Sequence, residues 1–453
     1  MSISETLSHF IVETGPDRMP GDALGAAKRC IIDCLGVLLA GTAQPESRMT
    51  AQLIRDFAAR PQAGIAGQAF RTSAPLAALA NGVAAHALDY DDISTTFLAH
   101  PSANLVPPLL ALSESEGASG EETLSAYVVG YEAGAHLGAV MGMEFFARSW
   151  HATSILGVAG AAAASAKLLH LDAEQTARAL AIAASLSAGL KVNFGSMTKP
   201  LHVGNAAQNG VLAALMAQRG MTANLRAFDG PHGFCAAYTG AECDLGRVEK
   251  TLGKEWLILN PGVKFKLYPS CGSIHGCIEA VLELKKRHRI SAEEVQEVEC
   301  VLSPLMVETG ASIDMPQTGQ EGRFSLPYNI ALGIIDGRVA MAQFTDERVR
   351  AADAREIMSR VRISCPEWMG KGMEEPQEVS VLLKNGLKYT ARVENRKGTV
   401  EDPISDEELF SKFRSCASVV LNAHLVEELF SLLYGIERLP DIRRLAELVT
   451  YLS

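Results

Sequence analysis

The chain has 453 residues, 48% hydrophobic and 21% charged, a globular composition that excludes extended disorder and leaves room for two or three domains. Its 41 Lys and Arg against 52 Asp and Glu give a net charge of −11. That charge argues against an extended nucleic-acid footprint, and any anion site must gather its cations locally.

From the start to about residue 258 the pattern is helical. Apolar residues recur at helical spacing over 22–39, 122–141, 153–170, 172–190 and 204–219, the last stopping at Gly220. The N-terminus has no basic stretch leading into an apolar one. The most apolar run, 154–166, is shorter than the ~20 residues of a bilayer span. A cytoplasmic protein without a membrane partner is therefore expected. An Ala-rich helix, 77–87, leads into Asp89, Asp91 and Asp92. Three carboxylates this close cannot all ionise comfortably out of water, so one is expected to have a raised pKa and to act as acid or base; a solvated helix end is the alternative. A magnesium reading of Asp91-Asp92 lacks a second acidic cluster on another helix, and no metal is expected. His100 follows in a loop, fixed by Pro101. His151 stands just before a small-residue helix, whose N-terminus would keep the imidazole neutral. The segment 198–204, Thr-Lys-Pro-Leu-His-Val-Gly, reads as a lead-in to a helix. There Lys199, His202 and free backbone N–H groups would hold a carboxylate or phosphate.

The character changes after Pro261. Residues 295–302 alternate with period two, 361–365 is a short β-branched run, and 378–394 forms two strand-like halves around Asn385-Gly386, a type I′ hairpin signal. Helical patterns resume at Ser405, which with Glu408 forms a capping box. The expected architecture is mainly α: a helical domain over 1–261, a smaller α+β domain over 262–400, and C-terminal helices over 401–453 returning to the first. Lys264 and Lys266 lie at the junction, where Pro261-Gly262 and Lys397-Gly398 suggest pivots for a lid. Cys271 and His275 are four apart, too few ligands for a metal. Tyr328, in Phe-Ser-Leu-Pro-Tyr, is an acid or a buried phenol. Nine cysteines, odd in number and without Cys-x-x-Cys, suggest reduced thiols and no zinc or iron–sulfur site.

Taken in order, Asp33-Cys-Leu-Gly, His86-Ala-Leu-Asp-Tyr-Asp-Asp92, His100-Pro-Ser-Ala, Trp150-His-Ala-Thr, Thr198-Lys-Pro-Leu-His, Lys266-Leu-Tyr-Pro and Phe324-Ser-Leu-Pro-Tyr resemble the MmgE/PrpD family. That family holds 2-methylcitrate dehydratases, cis-aconitate decarboxylases and an iminodisuccinate epimerase. The resemblance implies a helical domain with an α+β lid, a homodimer, and an enzyme without metal or organic cofactor. It implies a catalytic set of Asp89, His100, His151, Lys199, Lys266 and Tyr328. Where the decarboxylases carry Thr after the Asp pair, this chain has Ile93 and Ser94, so either Ser94 supplies the hydroxyl that contacts the substrate or that contact is lost. With His202, Ser94 completes the binding set. The implied activity is a lyase on a small di- or tricarboxylic acid, by proton transfer at a carbon next to a carboxylate. Epimerisation of a substituted succinate and a catalytically inactive binding or scaffold protein are the alternatives.

Overall fold

The computed structural model describes residues 1–450. Helices hold 58% of the residues and strands 8%, so the fold class is mainly α. Among the described residues no helix is long and apolar enough to cross a membrane.

Two hydrophobic cores organise the chain. The first takes residues from the N-terminal 258 and again from 404–449; the second lies within 274–391. In the first core, helices Ala74–His86 and Ala152–Leu168 each pack against helix Thr198–Gln218, almost without large side chains. The first and third of these helices meet at Gly82 and Gly204. A Cβ on Gly204 would lie 2.4 Å from the Leu79 carbonyl oxygen, and one on Gly82 would lie 2.7 Å from the Gly204 Cα. Only glycine allows this crossing. It matters for the site because it sets the C-terminal end of one helix beside the first turn of the other, His86 against Lys199.

Helix Asp406–Ala417 carries the expected capping box of Ser405 and Glu408 and packs on helix Gly21–Gly41. There Lys412 pairs with the buried Asp33 at 2.7 Å.

The second core is a four-stranded sheet covered by helices His275–His288 and Leu326–Asp336. In spatial order the strands are Val361–Ser364, Val295–Val301, Gln377–Leu383 and Lys388–Val393; the first pair is parallel and the others antiparallel. The last two form the hairpin read from Asn385-Gly386, with Gly386 at φ 86°.

The junction is tied more firmly than its glycines and proline suggested. Ile93 and Lys264 exchange two backbone hydrogen bonds of 2.8 Å, and Phe265 N–H donates to the Gly398 carbonyl at 2.8 Å. The buried Arg323 donates from the second core to the carbonyls of Leu88 and Pro269, at 2.8 and 2.9 Å. The expectation of pivots with few contacts is corrected: these bonds anchor the loop that carries the aspartates.

Candidate active site

That loop, 87–100, is the centre of the site. Asp89 takes the left-handed conformation, φ 47°, which Asp tolerates better than most residues. Lys266 Nζ donates to both the Asp89 carbonyl and its Oδ1, each at 2.7 Å. Lys199 Nζ lies 3.4 Å from the same Oδ1 and 2.5 Å from His86 Nε2. Burial opposes ionisation of Asp89, but Lys199 and Lys266 together outweigh it and hold the carboxyl well below its usual range. Its other oxygen, Oδ2, is buried with no hydrogen-bond partner among the described residues.

The three aspartates divide sharply. Burial works against Asp91, yet the His86 and His100 rings and a 2.7 Å hydrogen bond from His86 Nδ1 keep it ionised, well below the usual range. Asp92 meets no cation. Burial, reinforced by the charges of Asp33 and Asp91 and opposed by hydrogen bonds from Ser102, pushes it up to about 8, so it is uncharged at neutral pH. It is bound to Ser102, whose hydroxyl also meets Tyr127 at 2.6 Å. The sequence predicted one raised carboxyl, and it belongs to Asp92, which like Asp91 stays out of the cavity wall.

Asp92 has a measurable signature. Folded Asp92 keeps its proton to about pH 8, whereas the unfolded chain loses it near 3.8. The unfolded state therefore binds fewer protons between these values, and stability falls as pH rises through that window. Asp92→Asn mimics the neutral carboxyl. Its melting temperature relative to the unaltered protein should climb, by on the order of 5 °C, between pH 5 and 8 and then level off. A difference that stays flat with pH, followed by calorimetry, would show that Asp92 is ionised in the folded protein.

The histidines have assigned jobs. His100 ends its loop at the N-cap of helix Pro101–Glu116, with proline at the first helical position. Its Nδ1 donates to the Asp92 carbonyl at 2.9 Å. A carbonyl only accepts, so Nδ1 carries the hydrogen and the neutral ring keeps a lone pair on Nε2, 3.8 Å from Asp89 Oδ1. Burial first, with Lys266 contributing against the pull of Asp91, lowers its pKa well below 6.5. His86 is fixed the same way: Nδ1–H on Asp91, Nε2 accepting from Lys199. His151 is the N-cap of helix Ala152–Leu168, as its sequence position suggested, and burial first, then the charge of Lys199, lowers its pKa well below 6.5.

Asp89, Ser94, His100, His151 and Lys199 line one cavity of about 340 Å³, otherwise mostly apolar. Lys266 is outside its wall and acts on it through Asp89. His202 stands behind His151, the two Nδ1 atoms 3.1 Å apart, so it orients a wall residue rather than touching a ligand. Ser94 reaches the wall, but its hydroxyl is taken by Tyr131, at 2.7 Å, and by the Phe97 N–H. Thr95 beside it also lines the cavity.

Tyr328 is the member that the structure moves away. Its phenol donates to the Gln343 carbonyl inside the second core, and burial raises its pKa. The motif instead contributes Phe324, a wall residue whose ring centre is 5.3 Å from Lys199 Nζ. Helix Thr198–Gln218 begins six residues earlier than its apolar pattern suggested, so Lys199 belongs to its first turn and not to a free loop. Cys271 lines the cavity near Ser273 and Thr309, while His275 turns to the Ser270 carbonyl; they form no pair. His86, Arg323 and the Ser102–Tyr127 support were not singled out from sequence. Of these His86 and Ser102 had a signal, since both stand in the short polar motifs that carry Asp89 and His100.

One atom from each of His86, Asp89, Asp91 and His100 lies within 4.8 Å of the others, a spacing that would suit a cation. The donor set fits poorly, because the ammonium groups of Lys199 and Lys266 already hold His86 Nε2 and Asp89 Oδ1. A cation there would face two positive charges.

Neutral imidazoles, an ionised aspartate and a buried ammonium thus surround one small cavity. Residues 5–244 match the MmgE/PrpD N-terminal domain and residues 268–432 the MmgE/PrpD C-terminal domain, and the chain belongs to the MmgE/PrpD family. It is similar to the cis-aconitate decarboxylases of Mus musculus and Homo sapiens, each 29% identical over 99% of this chain and 93% and 94% of theirs. It is also similar to that of Aspergillus terreus, 26% identical over 99% of this chain and 96% of the fungal protein.

Proposed function

We propose that the protein is a cofactor-independent lyase that removes carbon dioxide or water from a small di- or tricarboxylic acid, with cis-aconitate as the first candidate. One observation carries the reading: His100 Nε2, with its tautomer locked, and the unpartnered Asp89 Oδ2 belong to the same small cavity as the Lys199 ammonium.

In decarboxylation the bond from the methylene carbon to its carboxylate breaks and its electron pair forms a new C=C. The former alkene carbon takes up one proton, so an acid is needed. In dehydration a base removes the proton next to a carboxylate, and an acid protonates the leaving hydroxyl. His100 suits the base. Lys199 suits the acid: burial lowers its pKa, against the pull of Asp89, which eases proton release. Its charge also stabilises the enolate-like electron pair before protonation. The apolar walls keep water out and strengthen these interactions.

Epimerisation of a substituted succinate is the second reading, favoured by the presence of a second neutral imidazole, His151, in the same wall. NMR of the enzyme in D2O with cis-aconitate, citrate, methylcitrate and substituted succinates separates the readings. The lyase gives a chain-shortened or dehydrated product, with one deuterium per decarboxylation. The epimerase exchanges hydrogen without losing CO2 or water. Chelator treatment should leave the rate unchanged, since two ammonium groups already supply the positive charge. Loss of activity on chelation would overturn the metal-free part, and no turnover or exchange across the panel would overturn the whole.

A further inference from the structure

Of the two lysines on Asp89 Oδ1 only Lys199 reaches the cavity, where its charge serves the reacting carbon. A second carboxylate of the substrate needs another cation. Arg396, just beyond strand Lys388–Val393, lines the same cavity, and of its wall residues only Lys199 and Arg396 are Lys or Arg. One guanidinium nitrogen donates to the Gly272 carbonyl. Another lies 3.5 Å from Glu374 Oε2, the oxygen that Lys264 Nζ also holds.

Glu374 differs from every other acid in the site. Asp89 and Asp91 are buried and fixed by several partners, whereas Glu374 is half-exposed. Its partner Lys264 is buried, so a substitution must leave that ammonium an acceptor, which the glutamine amide oxygen does. It also stands at a boundary: Arg396, Glu374, Met373 and Thr95 line both the main cavity and a neighbouring crevice of about 230 Å³, to which Lys264 belongs. The inner end of the cavity is balanced, two aspartates against two lysines. At this boundary Lys264 and Arg396 share a single oxygen of Glu374, while Glu375, Glu394 and Glu401 line the rest of the crevice.

We infer that Arg396, with Lys264, binds a second carboxylate of the substrate, and that Glu374 holds its place until a ligand displaces it. This rests on the acid-lyase reading for the identity of the ligand, and it makes the site selective for di- and tricarboxylates. A monocarboxylate bound at the inner end leaves the Arg396–Glu374 contact in place and gains nothing at the boundary. Arg396 is here a binding and positioning residue, and it takes no part in proton transfer.

Two variants move the measurement in opposite directions. Arg396→Gln removes a charge-assisted contact and should raise KM about tenfold with a much smaller change in kcat. Glu374→Gln removes the competitor and should lower KM several-fold. As a half-exposed change it also keeps the test open should Arg396→Gln fold poorly. Calorimetry with tricarballylate, an inert tricarboxylate, gives an independent readout: its Kd should weaken in the first variant and tighten in the second, while butyrate affinity stays the same in both. Normal turnover with KM and Kd unchanged in both variants overturns the inference and leaves the lyase reading standing. Tricarballylate binding that follows Arg396 and Glu374, in an enzyme that converts no acid of the panel, upholds the inference and overturns that reading.

Discussion

His100→Asn should lower kcat by about 10²- to 10⁴-fold while the protein stays folded. Asparagine keeps an N–H for the Asp92 carbonyl and is well suited to the N-cap of helix Pro101–Glu116, so the loop geometry survives. What it lacks is an Nε2 with a lone pair. The pH dependence of the unaltered enzyme should carry the same signature. His100 is held neutral by burial, its pKa well below 6.5. The base is therefore available through the neutral range, and kcat/KM should fall only as pH drops well below that value. An acid limb centred at or above 6.5, or a loss of less than tenfold in the variant measured by steady-state turnover, would assign the base elsewhere. His151 would then be the next residue to replace.

Lys266→Met should reduce stability by about 3 kcal/mol and abolish most activity, although the residue does not reach the cavity wall. Lys266 is 2% exposed. Its Nζ satisfies both the carbonyl and the carboxylate of Asp89, and removing one partner of a buried pair leaves the other uncompensated, at a cost of ~3–5 kcal/mol. Lys199, still 3.4 Å from the carboxylate, keeps the loss near the low end. Adding Asp89→Asn should recover part of the stability, because the stranded charge disappears, but none of the activity. Denaturant unfolding of the two single variants and the double variant forms a cycle. Strict additivity in that cycle would mean that the two residues are not coupled in the folded protein. For Lys199→Ala, burial of the side chain against His86 and Asp89 predicts a measurable loss of melting temperature, smaller than that for Lys266→Met.

Much of the secondary structure was legible because its causes are local. The hairpin follows from Asn385-Gly386, although only Gly386 takes a positive φ and the turn is therefore not the type I′ expected, and the return to helix at Ser405 follows from a side chain that caps its own N3 backbone. Local reading failed where a local rule was applied too strictly. Pro200 and Gly204 look like breakers, yet proline fits in the first turn, where its missing N–H has no partner to lose, and Gly204 is required by the crossing with Gly82. The pattern over 172–190 continues in apolar residues, but the helix stops at Ser185. The chain then turns so that the Gly189 carbonyl can accept the His151 N–H at 3.0 Å.

The polar residue types at the site, and their family, were also readable, since short motifs keep their composition wherever they end up. What each residue does was not. Asp89, Asp91 and Asp92 are near neighbours with the same intrinsic acidity. They differ because Lys199 and Lys266, 110 and 177 residues further along, converge on the first while the third meets only Ser102 and other acids. Tyr328 and Phe324 share one motif, but helix Leu326–Asp336 turns the phenol into the second core and leaves the phenyl ring facing Lys199. Charge and proton affinity in a buried site depend on which distant groups arrive and how much water they exclude, and only the folded chain brings those groups together.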